Sequence, residues 1–334
     1  MLFREDTVAR AEHNAVRNNV GWYRWTHDLV EVSGKDAGKL LDYLCVNDIA
    51  GAAVGQSKYT TLLNEAGKIV DDTIVMRMEE EKYWVSTLYA PKFQPWLLKQ
   101  KGDMQVEMKE LTWDVDMYAV QGPNSLAYMN ALLETPMDDL KRFRVCDNKI
   151  GDIEVKIHRS GFTGENGYEI YCDMEDTKKV EEAIRAKEAD FGAKELRTLE
   201  VYVRALPMEK GFALRQDMYG LTPYECGLGW SVKLDKEFIG KDALVKAKEE
   251  GPQYKLVGLE LDPERESYED IAQNEVACFK GVQVGIVRQM IYGYTVDKNI
   301  GFAIVDIKHA ENGTVLELGC HGAKAVVCDK TFIK

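Results

Sequence analysis

The chain reads as an α+β protein. A mixed body of interleaved helices and strands covers residues 1–250, and a β-rich domain covers 251–334. Three observations predict this. Short blocks of helical and strand periodicity alternate up to about residue 250. Gly251-Pro252 then stops the last helical block. Beyond it, apolar alternation at 254–261, 283–288, 301–307, 314–318 and 324–328 carries little helical period.

Taken in order, residues 6–19 read as a surface helix. Asp36–Leu44 follows as a second, with Leu40, Leu41 and Leu44 at helical spacing behind Ser33-Gly34. Strands are expected at Tyr59–Leu63 and Ile69–Met78, joined by the turn-forming Asn64-Glu65-Ala66-Gly67, and at Tyr83–Ser86. Pro91–Gln100 reads as a helix, Met117–Val120 as a strand, and Asn124 as the cap of a helix to about Glu134. Residues 153–158 and 168–172 form an expected hairpin around the glycine-rich turn 161–167. Helices at 175–188 and 241–249 complete the body. No internal repeat or low-complexity segment interrupts it.

Composition narrows the function. The net charge of −13 argues against a nucleic-acid binder, which needs excess Lys and Arg to neutralise phosphates. Seven cysteines without a CxxC pair suit reduced thiols and a cytoplasmic setting better than a disulfide framework. The start, MLFREDTVAR, lacks an apolar leader core, and no apolar run is long enough to span a membrane.

The most informative local signal is Ile69–Met78. Strand side chains alternate between faces. Val70, Asp72, Ile74, Met76 and Met78 therefore share one face, and Ile69, Asp71, Thr73, Val75 and Arg77 the other. Asp72 falls among apolar residues on the face expected to be buried, where an unpaired carboxylate is costly to ionise. Such groups concentrate at active sites; the alternative is that Asp72 caps a turn or bonds to neighbouring backbone. A second signal is the turn 161–167, whose glycines permit positive φ and close approach to a ligand before a strand that presents Glu169.

Other chemistries lack their residues. There is no GxGxxG after a strand, phosphate-binding P-loop, HExxH or G-x-S-x-G elbow. Cys320-His321 with Cys328 matches no common zinc spacing, so no metal is expected. Trp22, Tyr23 and Trp25 read either as core or as an aromatic wall for a cationic or aromatic donor.

Several segments together resemble the glycine-cleavage T-protein (aminomethyltransferase) family. They include Glu12-His13-x-Ala15-Val16-Arg17, Tyr59-Thr60-x-Leu62-Leu63-Asn64-Glu65-x-Gly67-x-Ile69-x-Asp71-Asp72 and Gln121-Gly122-Pro123. Further along come Gly161-Phe162-Thr163-Gly164-Glu165-x-Gly167-x-Glu169, Glu209-Lys210-Gly211 and Thr222-Pro223-x-Glu225-x-Gly227-Leu228-x-Trp230. The resemblance implies two interleaved α+β subdomains around a folate pocket, plus a C-terminal β-barrel. It implies that Asp72 is the functional aspartate, near N5 and N10 of tetrahydrofolate. Glu169 would hold the pterin through a bidentate, charge-assisted pair. Phe162, Trp230, Tyr59 and Thr87 would complete the cofactor site.

The departures concern the donor side. Val203 stands where the family usually has the first arginine of R-D-S-L-R-x-E-x-G, and Pro207 where it has the second. The family's D-x-S-H motif is replaced by Tyr23-Arg24-Trp25-Thr26-His27. These changes point the expectation toward a methyltransferase or demethylase, moving a methyl group from a small O-, N- or S-methylated donor to N5 of tetrahydrofolate. Trp22, Tyr23 and Trp25 would then face the donor, with a carrier or partner methyltransferase protein possible. The alternatives are aminomethyl transfer from a lipoyl carrier protein, and a non-catalytic folate-binding protein.

Overall fold

The computed structural model describes all of residues 1–334 except 26–27, 89, 265–266 and 320–321. Thr26, His27, Cys320 and His321, which enter the sequence reading above, therefore lie outside the described residues.

Two sheets make up the body. The strands run β1 (Gly21–Arg24), β2 (Asp28–Ser33), β3 (Gln56–Leu63), β4 (Ile69–Glu79), β5 (Lys82–Thr87) and β6 (Glu107–Glu110). They continue as β7 (Val115–Gln121), β8 (Val145–Ile150), β9 (Ile153–His158), β10 (Gly167–Asp173) and β11 (Lys194–Glu195). A six-stranded sheet has the order β11-β1-β7-β10-β9-β8, and a five-stranded sheet the order β3-β4-β5-β2-β6. The chain lays β1 in the first sheet, builds the whole second sheet with β2–β6, and returns with β7. The two subdomains are therefore interleaved, in line with the expected fold.

Each sheet is covered on its outer face. Tyr128, Met129 and Leu132 of the helix Ser125–Leu132, with Val180 and Ile184 of Thr177–Ala186, pack on Tyr118, Val120, Tyr168 and Ile170 of the first sheet. Leu40, Leu41 and Leu44 of the helix Ala37–Leu44, with Phe93 and Leu97 of Ala90–Lys101, cover Val30, Val32, Val75 and Val85 of the second. The inner faces of both sheets meet the C-terminal domain in one central cluster containing Tyr23, Met76, Met117, Ala119, Tyr171 and Phe302. That domain is a closed barrel of β12 (Tyr254–Leu261), β13 (Val276–Phe279), β14 (Val282–Gly293), β15 (Lys298–Asp306), β16 (Val315–Leu318) and β17 (Ala323–Cys328), in the order β12-β15-β14-β13-β16-β17.

Strands without an apolar pattern escaped the sequence reading. β6 and β8 lie at sheet edges. β6 is Glu-Met-Lys-Glu and mostly exposed, and β8 is polar along much of its length. An edge strand buries too little to carry a period. The helix Thr7–Asn18 starts as expected, its cap Asp6 accepting from the Ala9 amide at 2.9 Å.

Candidate functional site

The site is assembled where the inner faces of the two sheets converge. β4 supplies the paired aspartates, and its alternation separates them as expected. The solvent-shielded side is the reverse of the expectation, however. Asp71 is only 8% exposed, whereas Asp72 keeps part of its surface open. Both faces of β4 are covered: Asp71 lies on the side of Val75, which packs under the helices, and Asp72 on the side of Met76, which joins the central cluster. Asp72 is the more open of the two because a cavity interrupts the packing on its side.

Each aspartate has its own partners. Tyr59 of the adjacent β3 donates its hydroxyl to Asp72 Oδ2 at 3.0 Å. Thr87 donates to Asp71 Oδ2 at 2.9 Å. Arg215 Nε donates to the Val70 carbonyl at 2.7 Å and lies 3.5 Å from Asp71 Oδ1. Burial raises the Asp72 carboxyl to about 7, and the Asp71 charge adds to the rise; Tyr59 and Arg215 oppose it. Asp71 is also raised by burial, against the pull of Thr87 and Arg215. A carboxyl that titrates near neutrality can both give and take a proton at physiological pH.

Across the cavity, β10 presents Glu169 on the same face as Tyr171. Tyr171 donates to Glu169 Oε2 at 3.0 Å. His158 of the paired β9 stands opposite Glu169, its Nδ1 2.7 Å from the same oxygen. The other ring nitrogen of His158 is 2.7 Å from Ser57 Oγ on β3, so the relay ties the second sheet to the first. With its ring hydrogen on Nδ1, His158 donates to Glu169 and accepts from Ser57. Ser57 is itself buried, so this Ser-His-Glu line orients a carboxylate and presents no nucleophile.

Asp72 and Glu169 line one cavity of about 150 Å³, together with Tyr59, Thr87, Phe162, Tyr23 and Trp25. Trp230 is 62% exposed and stands over Tyr59, the rings 6.1 Å apart and nearly parallel. Trp22 is the exception. It precedes Tyr23 on β1 and so points to the opposite face, where it is buried with Tyr118 and Val120 and donates Nε1 to Glu188 at 2.8 Å. The donor-side expectation for Trp22 is therefore corrected: it is core. Tyr23 and Trp25 reach the cavity, and Tyr23 stacks on Tyr202 at 4.2 Å.

The glycine-rich turn differs from its expectation too. A Cβ at Gly161 or Gly167 would fall on the Gln121 amide, and one at Gly164, where φ is +77°, on the Lys210 stem. The glycines thus admit neighbouring protein side chains, which fix the turn and set Phe162 in the cavity wall. Sequence reasoning missed Tyr171, His158, Ser57, Tyr202 and Arg215. Only Tyr171 had a local signal, two residues beyond Glu169 on the same strand face; the others depend on strand register or on distant chain segments.

Comparison with known proteins places this geometry. The GCVT N-terminal domain matches residues 3–236, and the glycine cleavage T-protein C-terminal barrel domain matches residues 255–334. The chain is 34% identical over 337 residues to an aminomethyltransferase of Caldanaerobacter subterraneus, covering 97% of this chain and 87% of that protein. It is equally 34% identical to an aminomethyltransferase of Alkaliphilus metalliredigens, over 97% of this chain and 89% of that one. The crystal structure of the glycine cleavage system aminomethyltransferase T from Bartonella henselae superposes with a TM-score of 0.86 at 25% identity, over 97% of this chain and 89% of the other. With both family domains matched in register across two interleaved sheets and a closed barrel, the chain belongs to the glycine cleavage T-protein family.

Proposed function

We propose that this protein is an aminomethyltransferase that delivers a one-carbon unit from a lipoyl carrier protein to tetrahydrofolate. The observation that carries the reading is the pairing, across one cavity, of an oriented buried carboxylate with a second carboxyl that titrates near neutrality. The protein is a folate-dependent one-carbon transferase, and its relatives bear the name aminomethyltransferase.

Glu169, oriented by His158 and Tyr171, accepts from the pterin ring N–H and exocyclic amine. The folate contributes the two nitrogens that take up the carbon. In the overall transfer, the C–N bond to the departing ammonia and the C–S bond to the lipoyl arm break, and bonds to N5 and N10 form. N5 and N10 each give up a proton, while ammonia and the lipoyl thiol each gain one. Asp72 at about 7 suits both directions of that exchange, and Tyr59 holds its carboxyl in place.

A second reading, methyl transfer from a small methylated donor to N5, is favoured by one observation. Tyr23, Trp25 and Tyr202 form an aromatic corner at the cavity, which suits an onium or aromatic donor by contacts worth roughly 0.5–2 kcal/mol. One experiment separates the two. The protein is incubated with tetrahydrofolate and either an aminomethylated lipoyl carrier or a set of methyl ethers, methylamines and methylsulfonium compounds. Ammonia and 5,10-methylenetetrahydrofolate support the first reading; 5-methyltetrahydrofolate alone would replace it with the second. Folate binding with neither product would leave a binding protein.

A further inference from the structure

The segment Ala213-Leu214-Arg215 forms one wall of the Asp72 cavity and leads into the short helix Arg215–Met218. Asp217 of this helix is fully buried. Its Oδ2 accepts from the Leu214 amide and from Gln289 Nε2 of β14, each at 2.8 Å. Gln289 reaches it at a break in the barrel ladder. The register of β14 against β15 shifts between Val287 and Gln289, leaving Arg288 as the extra residue. Such bulges bend a strand and re-aim its side chains. Arg288 and Gln289, adjacent in the chain, both reach the helix or its cap: Arg288 donates to the Tyr219 carbonyl at 3.1 Å and to Asn274 Oδ1 at 3.0 Å.

Eight buried side-chain polar atoms lack a hydrogen-bond partner among the described residues, and six of them can donate: Nε of Arg77 and Arg288, Trp96 Nε1, and the hydroxyls of Thr61, Tyr168 and Tyr224. The other two, Asp217 Oδ1 and Gln289 Oε1, can only accept while Asp217 is ionised. They belong to side chains already joined through Oδ2 and Nε2. In the planar ring that a carboxyl and a primary amide form, that bond leaves Oδ1 and Oε1 opposite each other. Exchanging the amide oxygen and nitrogen only moves the opposition to Oδ2. Ionised, Asp217 would thus set a buried negative oxygen against a buried amide oxygen, at a cost no other bond offsets. One proton on Oδ1 removes the charge and joins the two oxygens at once. The titratable groups that act on Asp217 are Arg288 of β14, Arg204 of the turn Val201–Ala205 and the Cys226 thiol. Both arginines and the Leu214 amide favour the ion, but burial outweighs them and raises the carboxyl to about 7.

We propose that Asp217 is a positioning residue held as the neutral acid: its Oδ1 hydroxyl donates to Gln289 Oε1, closing a two-bond acid–amide ring that clips the Leu214–Arg215 wall of the Asp72 cavity to the barrel. The clip bears on the site through Arg215, which donates to the Val70 carbonyl and lies 3.5 Å from Asp71 Oδ1. At high pH the acid ionises, the ring loses one bond and sets two acceptors against each other, and the wall is released. The effect on catalysis rests on the folate reading of the central cavity; the ring itself does not.

Infrared spectra and urea denaturation of wild type and Asp217→Asn, between pH 4.5 and pH 9, test the ring. At pH 6 the wild-type-minus-variant spectrum should carry the C=O stretch of a protonated carboxylic acid, replaced by carboxylate bands at pH 9. Asparagine supplies the same ring at every pH, its amide donating to Gln289 Oε1. The folded wild type keeps to about 7 a proton that the unfolded chain releases near about 4, so its stability falls as pH rises through that window. The variant-to-wild-type ratio of folding constants should therefore grow roughly tenfold or more from pH 4.5 to pH 9. A carboxylate band at pH 6, or a flat ratio, overturns the proposal. Calorimetry with tetrahydrofolate at pH 6 reads the positioning. Asp217→Ala and Gln289→Leu, which both open the ring, should weaken binding roughly tenfold or more, while Asp217→Asn stays within about threefold of wild type. Equal weakening in all three variants, or in none, overturns the positioning role. If wild type binds no tetrahydrofolate, the folate reading fails, and the infrared and denaturation results decide the ring by themselves.

Discussion

Asp72 should make the folded protein less stable as pH rises, and Asp72→Asn should remove that dependence while abolishing most activity. The sign follows from the raised carboxyl. In the folded chain it titrates at about 7, whereas an unfolded aspartate titrates at about 4. Between those values the folded state holds a proton that the unfolded state has released, so stability falls as pH climbs through the window and the full cost is present above about pH 7. The gap corresponds to at most roughly 4 kcal/mol, at about 1.36 kcal/mol per pH decade. Asp72 is partly open to its cavity, which screens the charge, so about 2 kcal/mol is the expected effect. Asparagine keeps the shape, and its amide oxygen can still accept from Tyr59. Urea denaturation of both proteins at pH 4.5 and pH 8 reads the effect. The variant should exceed wild type by about 2 kcal/mol at pH 8 and differ little at pH 4.5, while its turnover falls roughly 100-fold or more. Parallel stability curves for the two proteins would show that Asp72 is ionised at no unusual cost, and the proton-exchange role would go with it.

Further outcomes are expected for four variants. Asp71→Ala should destabilise by about 1–3 kcal/mol in urea denaturation at pH 7, because it removes both the Thr87 acceptor and the carboxylate facing Arg215; an unchanged midpoint would mean that the pair carries nothing. Glu169→Ala should weaken tetrahydrofolate binding by roughly 30- to 1000-fold, or about 2–4 kcal/mol, and unchanged affinity by calorimetry would remove Glu169 from the pterin site. Trp22→Ala should cost about 3–5 kcal/mol of stability, since Trp22 is buried in the core behind the first sheet. Trp25→Ala should instead alter the kinetics at smaller cost in stability, and the reverse ranking would contradict the strand parity.

How far the site could be read from the sequence depended on the range of the interaction. Asp72 was singled out because alternation within one strand is a local rule, and β4 obeys it. The rule could not say which side of β4 was the more enclosed, because that depends on which helices cover the sheet and where the packing opens into a cavity. The reading of Trp22 and Tyr23 as both donor-facing did not apply that rule, because no strand was expected at Gly21–Arg24. Only the register of β1 against β7 and β11 assigns Tyr23 to the cavity and Trp22 to the core.

Residues acting through a neighbour were the least visible. His158 orients Glu169 because β9 pairs with β10 in one register, and Ser57 reaches His158 from the other sheet, 101 positions away in the chain. No periodicity encodes such distances. The sequence by itself pointed to the family, the α+β body and the β-rich C-terminal domain, and singled out Asp72 and Glu169 as candidates, because those follow from local pattern and ordered motifs. Tertiary structure alone decided their partners, their exposure and the groups left uncompensated, because burial and charge pairing are properties of segments brought together by folding.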